Sequence, residues 1–213
     1  MAAEPTTKRA TGGDDQSTKP YHHRNLPAAL RSAAADLVSE RGPAGFSLRE
    51  VARRAGVSHA APAHHFGDTR GLLTSLAAEG FERLASALAD ASKEPDPTRR
   101  LRNCGRAYVS TALEYPGHFA VIFQDDLLDQ DSAELQQHGT AAMVHLVETV
   151  EALRDELNPD LDVDNAATMC WATMQGLVSL APTLDHITDG NRPTIDVVID
   201  GLCTIMLDGL RPR

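Results

Sequence analysis

The sequence predicts an all-α protein: a small N-terminal head of three helices, then a larger helical body, about nine helices in all. Three observations predict it. Apolar residues recur at three-to-four spacing along most of the chain after Asn25. Aromatics are only 4% of the 213 residues while Ala is abundant, which favours helices over a β-sandwich. Gly42, Gly56, Pro95 with Pro97, Pro116-Gly117 and Asn158-Pro159 punctuate the pattern at helix-like intervals. No internal repeat is visible, and the length suits one large or two small domains.

Residues 1–20 are small, polar and turn-rich and are expected to form a disordered arm. Residues 21–73 form the head and 74–213 the body. Asn25 can cap a first helix with Pro27 in its first turn. Leu26, Leu30, Ala33, Leu37 and Val38 share its inner face, and Gly42 stops it. The central stretch is FSLREVARRAGVSHAAPAHHFGDTRGLL, from Phe46 to Leu73. Ser47 can cap its first helix, and Glu50 three residues on completes a capping box. Leu48, Val51, Ala52 and Ala55 form one apolar stripe, after which Gly56 can end the helix left-handed. Val57 fills the corner. Ser58 is placed to cap a second helix from about His59 to Phe66, and Phe46 and Phe66 plug the small core. Asp68 caps a long helix to about Ser92, which ties head to body through Leu72, Leu73, Leu76, Phe81, Leu84 and Leu88.

The body begins near Asp96. Helices are expected at Thr98–Tyr115, His118–Leu128 and Ser132–Leu157. A further helix, capped by Asp164 and without a charge from Asn165 to Leu184, is expected to end at Pro182. The last runs from about Pro193 to Leu210 and is apolar nearly all round, so both its faces need burial. In a body this small, the outer face most simply meets a second subunit.

Two short helices joined by a Gly-containing turn form a helix-turn-helix, whose second helix enters the major groove of DNA. The charge distribution agrees. Residues 19–73 carry eight basic and four acidic groups, net +4, whereas residues 74–213 carry ten basic and 23 acidic, net −13. The basic end is drawn to phosphate and the acidic body repelled. Lys8, Arg9 and Lys19 either brush phosphates or belong to a passive tail.

The pattern A-x-x-A-G-V-S, then His65-Phe66, Asp68 and Leu72-Leu73, resembles the DNA-binding domain of the TetR/AcrR family of regulators, closely from Leu26 to Leu73. The resemblance implies a ligand-responsive repressor that dimerises through its last two helices and binds a pseudo-palindromic double-stranded operator. Major-groove reading needs short side chains or flexible donors on an exposed helix N-terminus. Ser58, His59, Ala60, Ala61, Ala63 and His64 occupy that position. His59 and His64 are candidate hydrogen-bond donors, and the alanines can meet thymine methyls or allow close approach. Arg49 lies where the family pattern often places a base or phosphate contact, and Ser47 with its helix N-terminus can take a phosphate. His65 matches the family pattern. Ala63 stands where the family usually has Tyr, and Thr69 where it usually has Lys. Thr69 retains one hydrogen bond and Arg70 can supply the missing charge. Pro62, four positions after Ser58, should remove the first bond of the recognition helix.

In the body, W-x-x-x-Q-G-L at Trp171, Gln175 and Gly176 is similar to a subgroup that carries His in place of Gln175. Trp171 and Gln175 share a helix face. They serve either core packing with a helix–helix hydrogen bond or effector contact. Tyr108, His118, Phe119, Phe123, Met143, Met169 and Met174 are further candidate linings. With no charge that must clearly be buried, the expected effector is small and largely apolar.

Several classes are disfavoured. Cys104, Cys170 and Cys203 are separated, odd in number and set in apolar helical contexts, as small core residues of a reducing compartment. No apolar run opens the chain, so no signal peptide is expected. Polar residues dilute the uncharged helix, so no membrane span is expected, and the protein should be cytoplasmic. His64 and His65 point about 100° apart and cannot grip one ion, and His22-His23 lacks partner ligands. No metal or cofactor is expected. No nucleophile–base set, Gly-rich phosphate loop or carboxylate pair supports an enzyme. The other rival, a helical interaction protein that has lost operator binding, rests on Ala63 and Thr69.

Overall fold

A computed structural model describes residues 25–187 and 193–212. The expected arm, together with Lys19 and His22-His23, lies outside the described residues. Within them the chain forms nine α-helices, three isolated 3-10 turns and no strand.

The head comprises α1 (Leu26–Arg41), α2 (Leu48–Arg54) and α3 (Ala61–Phe66). Asn25 accepts from the Ala28 N–H at 3.4 Å, and Ser47 accepts from the Glu50 N–H at 3.3 Å. The reciprocal arm of the capping box is not made. The Glu50 carboxylate turns instead to the Arg53 guanidinium, with bonds of 2.9 and 2.7 Å. That two-pronged pair holds the Glu50 pKa down to about 2. Arg54 grips Glu40 the same way and pins α2 to α1.

α4 (Thr69–Ala91) starts on Asp68, which accepts from the Gly71 N–H at 2.8 Å, and crosses from head to body. It packs on α1, α3, α5 (Pro97–Glu114), α6 (Pro116–Phe119) and α7 (Ala133–Glu151). Its Leu72, Leu73 and Leu76 share one buried cluster with Leu30, Leu37 and Val51 of the head, and its Leu84 and Leu88 belong to the same cluster with Tyr108 and Val109 of the body. One hydrophobic core therefore runs unbroken through both parts. A second core, with Leu146, Val150, Leu153, Leu157 and Ala167, seals the far end. The three cysteines are free and buried; burial pushes the Cys170 and Cys203 thiols up to about 11.

Four boundaries differ from expectation. The segment expected to be helical from His118 to Leu128 leaves the helix after Phe119 and ends in a 3-10 turn at Asp125–Leu127. Short local turn bonds, such as the Gln124 N–H to the Val121 carbonyl at 2.9 Å, replace the ladder, and α4 side chains hold the end of the segment. Arg70 donates to the carbonyls of Leu128 at 2.7 Å and Asp126 at 3.0 Å, and Thr74 Oγ1 accepts from the Asp129 N–H at 2.8 Å. α7 stops at Glu151, and a 3-10 turn at Arg154–Glu156 then brings Leu153 and Leu157 into the second core. α8 (Val163–Ile187) is capped by Asp162, not Asp164, through the Asn165 N–H at 2.9 Å. It also runs through Pro182, which removes one ladder bond without ending the helix. α9 (Ile195–Leu210) follows. The Asn158 N–H donates to the Leu210 carbonyl at 2.9 Å, tying the end of α9 to the α7–α8 turn.

Candidate nucleic-acid interface and effector chamber

The turn between α2 and α3 is built by backbone bonds. The Val57 N–H reaches back to the Ala52 carbonyl at 3.0 Å, and the Gly56 N–H to that of Arg53 at 3.2 Å. This is a Schellman closure, and it sets Gly56 at φ +67°. The next residues correct an expectation. Ser58 does not cap the recognition helix through its side chain. Ser58 to Ala60 form a turn, closed by the Ala61 N–H on the Ser58 carbonyl at 3.0 Å, and α3 begins at Ala61. Pro62 thereby falls in the first turn, where its missing N–H has no intrahelical partner to lose. The first ladder bond, from the His64 N–H to the Ala60 carbonyl at 3.0 Å, is intact. The buried Pro62 ring roots the helix in the head.

Ser58, His59, Ala60, Ala63, His64 and His65 are exposed, and Ala61 is half-buried. Ser47, Arg49 and Thr69 are exposed as well, and Arg49 makes no ion pair among the described residues. Arg70 departs from expectation, since its guanidinium is held by the Leu128 and Asp126 carbonyls and so engages the body.

The nine candidate effector residues separate into four groups. Tyr108, Trp171 and Met174 surround an inner cavity of about 20 Å³, room for about one water. Phe123, Met143, Trp171 and Gln175 line an open groove of about 490 Å³ on the other side of the indole, together with Phe81 and Gly139. Phe119 is buried and stacks edge-on against Tyr108 at 5.8 Å, lining neither space. His118 and Met169 are placed elsewhere, against expectation. Met169 is 56% exposed on the outer side of α8, because it stands two positions before Trp171 and so points to roughly the opposite side of the helix.

His118 sits at the joint of head and body. It is buried, its two nitrogens have no hydrogen-bond partner, and Nε2 lies 3.9 Å from Glu79 Oε1. Burial lowers its pKa, opposed by Glu79 and assisted by Arg83 and Arg31. Glu79 pairs with both Arg31 of α1 and Arg83 of α4, while Arg83 lies over the Tyr115 ring at 4.2 Å. Gly117 touches α1 so closely that a Cβ there would sit 2.0 Å from the Ala35 carbonyl oxygen.

Gly139 was not foreseen at the groove. Its signal was a lone glycine inside the apolar helical pattern of α7. Gln175 accepts from the Tyr108 hydroxyl at 2.8 Å and donates to Ser179 Oγ at 3.2 Å, so the expected helix–helix bond is present.

An exposed helix-turn-helix on a basic head, joined by one continuous core to a helical body, defines a helix-turn-helix DNA-binding transcriptional regulator. Residues 30–76 match the family of bacterial regulatory proteins of the tetR type, and residues 101–191 match the tetracyclin repressor-like C-terminal domain. The chain belongs to the TetR family. The HTH-type transcriptional repressor Rv3405c of Mycobacterium tuberculosis is 28% identical over 192 residues, 90% of either chain. A solved protein of unknown function from Rhodococcus sp. RHA1 is 32% identical with TM-score 0.76, covering 91% of this chain and 100% of that one. The transcriptional regulator FadR of Bacillus subtilis, solved in complex with stearoyl-CoA, has TM-score 0.67 at 18% identity over 86% and 99% of the two chains. That last likeness is one of fold.

Proposed function

We propose that this protein is a homodimeric repressor that leaves a pseudo-palindromic operator when a small, largely apolar molecule occupies its body. The head, residues 21–73, reads DNA; the body, residues 74–213, dimerises and binds the effector. The observation that carries the reading is the exposed run His59, Ala60, Ala63 and His64, held rigidly on the buried Pro62 at the foot of a head with net positive charge. Small and imidazole side chains there admit the backbone close to base edges. Arg49 and Ser47 on the neighbouring helix are available to phosphates.

Dimerisation through the last two helices is supported by apolar side chains left in water. Met169 and Leu180 on α8, with Val197 and Ile205 on α9, are all more than half exposed, and Ile205 reaches 70%. Gly176, Gly201 and Gly209 leave open space beside them. Pairing two copies on this face would bury that apolar surface and space the two recognition helices for half-sites about 34–36 Å apart, or a multiple of that.

Duplexes selected from a random pool by the purified protein provide the operator. In gel shifts against it, Arg49→Ala and His59→Ala should each weaken specific binding about tenfold or more, with the thermal transition unchanged. Equal affinity in both variants would remove these residues from the interface. Failure of the wild-type chain to enrich any site would favour an interaction protein that has lost operator binding.

A further inference from the structure

The groove between α4, α7 and α8 has aromatic walls. Phe81 and Phe123 lie 6.2 Å apart at 90°, and the Trp171 ring meets them at 6.4 and 6.3 Å. Gly139 opens the groove, for a Cβ there would meet only the Phe81 ring edge at 3.8 Å. None of the lining residues is charged. A charged ligand would lose water without gaining a counterion.

Behind the indole lies the small inner cavity, so Trp171 is a partition between two spaces. It touches both hydrophobic cores. Its Nε1–H is buried without a hydrogen-bond partner. The nearby Tyr108 hydroxyl gives its proton to Gln175, and the Gln175 amide is used by Ser179. The Tyr108 oxygen can still accept but makes no hydrogen bond with the indole N–H, so one donor is left unmet beside an uncharged groove. An unpaired buried donor is costly, and a ligand acceptor removes that cost.

We propose, resting on the effector reading above, that the effector is a neutral, flat, mainly apolar ring compound with one hydrogen-bond acceptor. It lies in the groove against the Phe81 and Phe123 rings and accepts the Trp171 N–H as its single strong polar bond. To present that N–H the indole turns out of its partition position and joins groove to cavity. Acids and cations are excluded by the uncharged walls, and a pure hydrocarbon leaves the indole donor unmet.

The test uses the full-length protein and three bicyclic probes: naphthalene, 2-acetylnaphthalene and 2-naphthoate. Affinities are read by calorimetry. Trp171 is the sole tryptophan, so its single indole N–H resonance reports the site directly. The ketone should bind about tenfold tighter than naphthalene, the worth of about one hydrogen bond, and shift that resonance; the carboxylate should bind weakest. Trp171→Phe should erase the advantage of the ketone and keep naphthalene binding. Gly139→Leu, which fills the groove from its open side, should weaken all three probes. Equal affinity for ketone and hydrocarbon, tightest binding of the carboxylate, an unmoved indole resonance at saturation, or no binding at all would each overturn the proposal. Operator binding is measured on the same preparation. Its persistence beside any of those results leaves the regulator reading standing, and its absence removes that reading independently.

Discussion

Gly56 sits at φ +67° with nothing within 4 Å of where a Cβ would stand. Strain, not crowding, is therefore the penalty for a side chain. Gly56→Ala should lower stability by about 1 kcal/mol in a denaturant titration, with the helix-turn-helix still formed. Arg70 separates two roles cleanly. A phosphate contact predicts that its loss reduces the salt slope of DNA binding by about one. The observed bonds to the Leu128 and Asp126 carbonyls predict instead that Arg70→Gln leaves the slope unchanged and lowers stability by about 1–3 kcal/mol. His118 gives a pH signature. Its native pKa lies below the ordinary 6.5 because burial disfavours the imidazolium. Between the two values the unfolded chain binds the extra proton, so stability is full above 6.5 and is lost as pH falls through the lower native value. The thermal midpoint should drop over that interval, and His118→Gln should flatten the drop.

Among the elements, α6 is the shortest and most constrained. It is four residues long, and Gly117 lies against the α1 backbone. Gly117→Ala should force the two helices apart at a cost of about 1–3 kcal/mol and weaken operator binding, because α1 supports α2 and α3. Dependence on the size of the residue at position 117, read by gel shift, tests that joint. The contrast between α3 and α6 shows where sequence reasoning succeeds. The turn before α3 was legible because glycine and small residues at fixed offsets encode it locally. The loss of helix after Phe119 was not, because the bonds that anchor the end of the turn path come from Arg70 and Thr74, about 55 residues away.

Across the whole molecule, charge and apolar surface are partitioned. The net charge is positive in the head and strongly negative in the body, and four of the most exposed large apolar side chains, Met169, Leu180, Val197 and Ile205, lie on α8 and α9. Ile205→Glu should shift the protein toward monomer in sedimentation and abolish cooperative operator binding, while each head stays folded. Among the described residues no helix is long and apolar enough to cross a membrane.

The sequence alone determined the all-α class, the helix-turn-helix and the separation of charge, since helical period, turn residues and net charge are local properties. The tertiary structure decided which side chains share a space. His118, Phe119, Met169 and Trp171 look alike as apolar-context candidates, yet one lies at a joint, one in the core, one in water and one between two cavities. That sorting follows from how distant helices pack, and packing is a property of the whole chain.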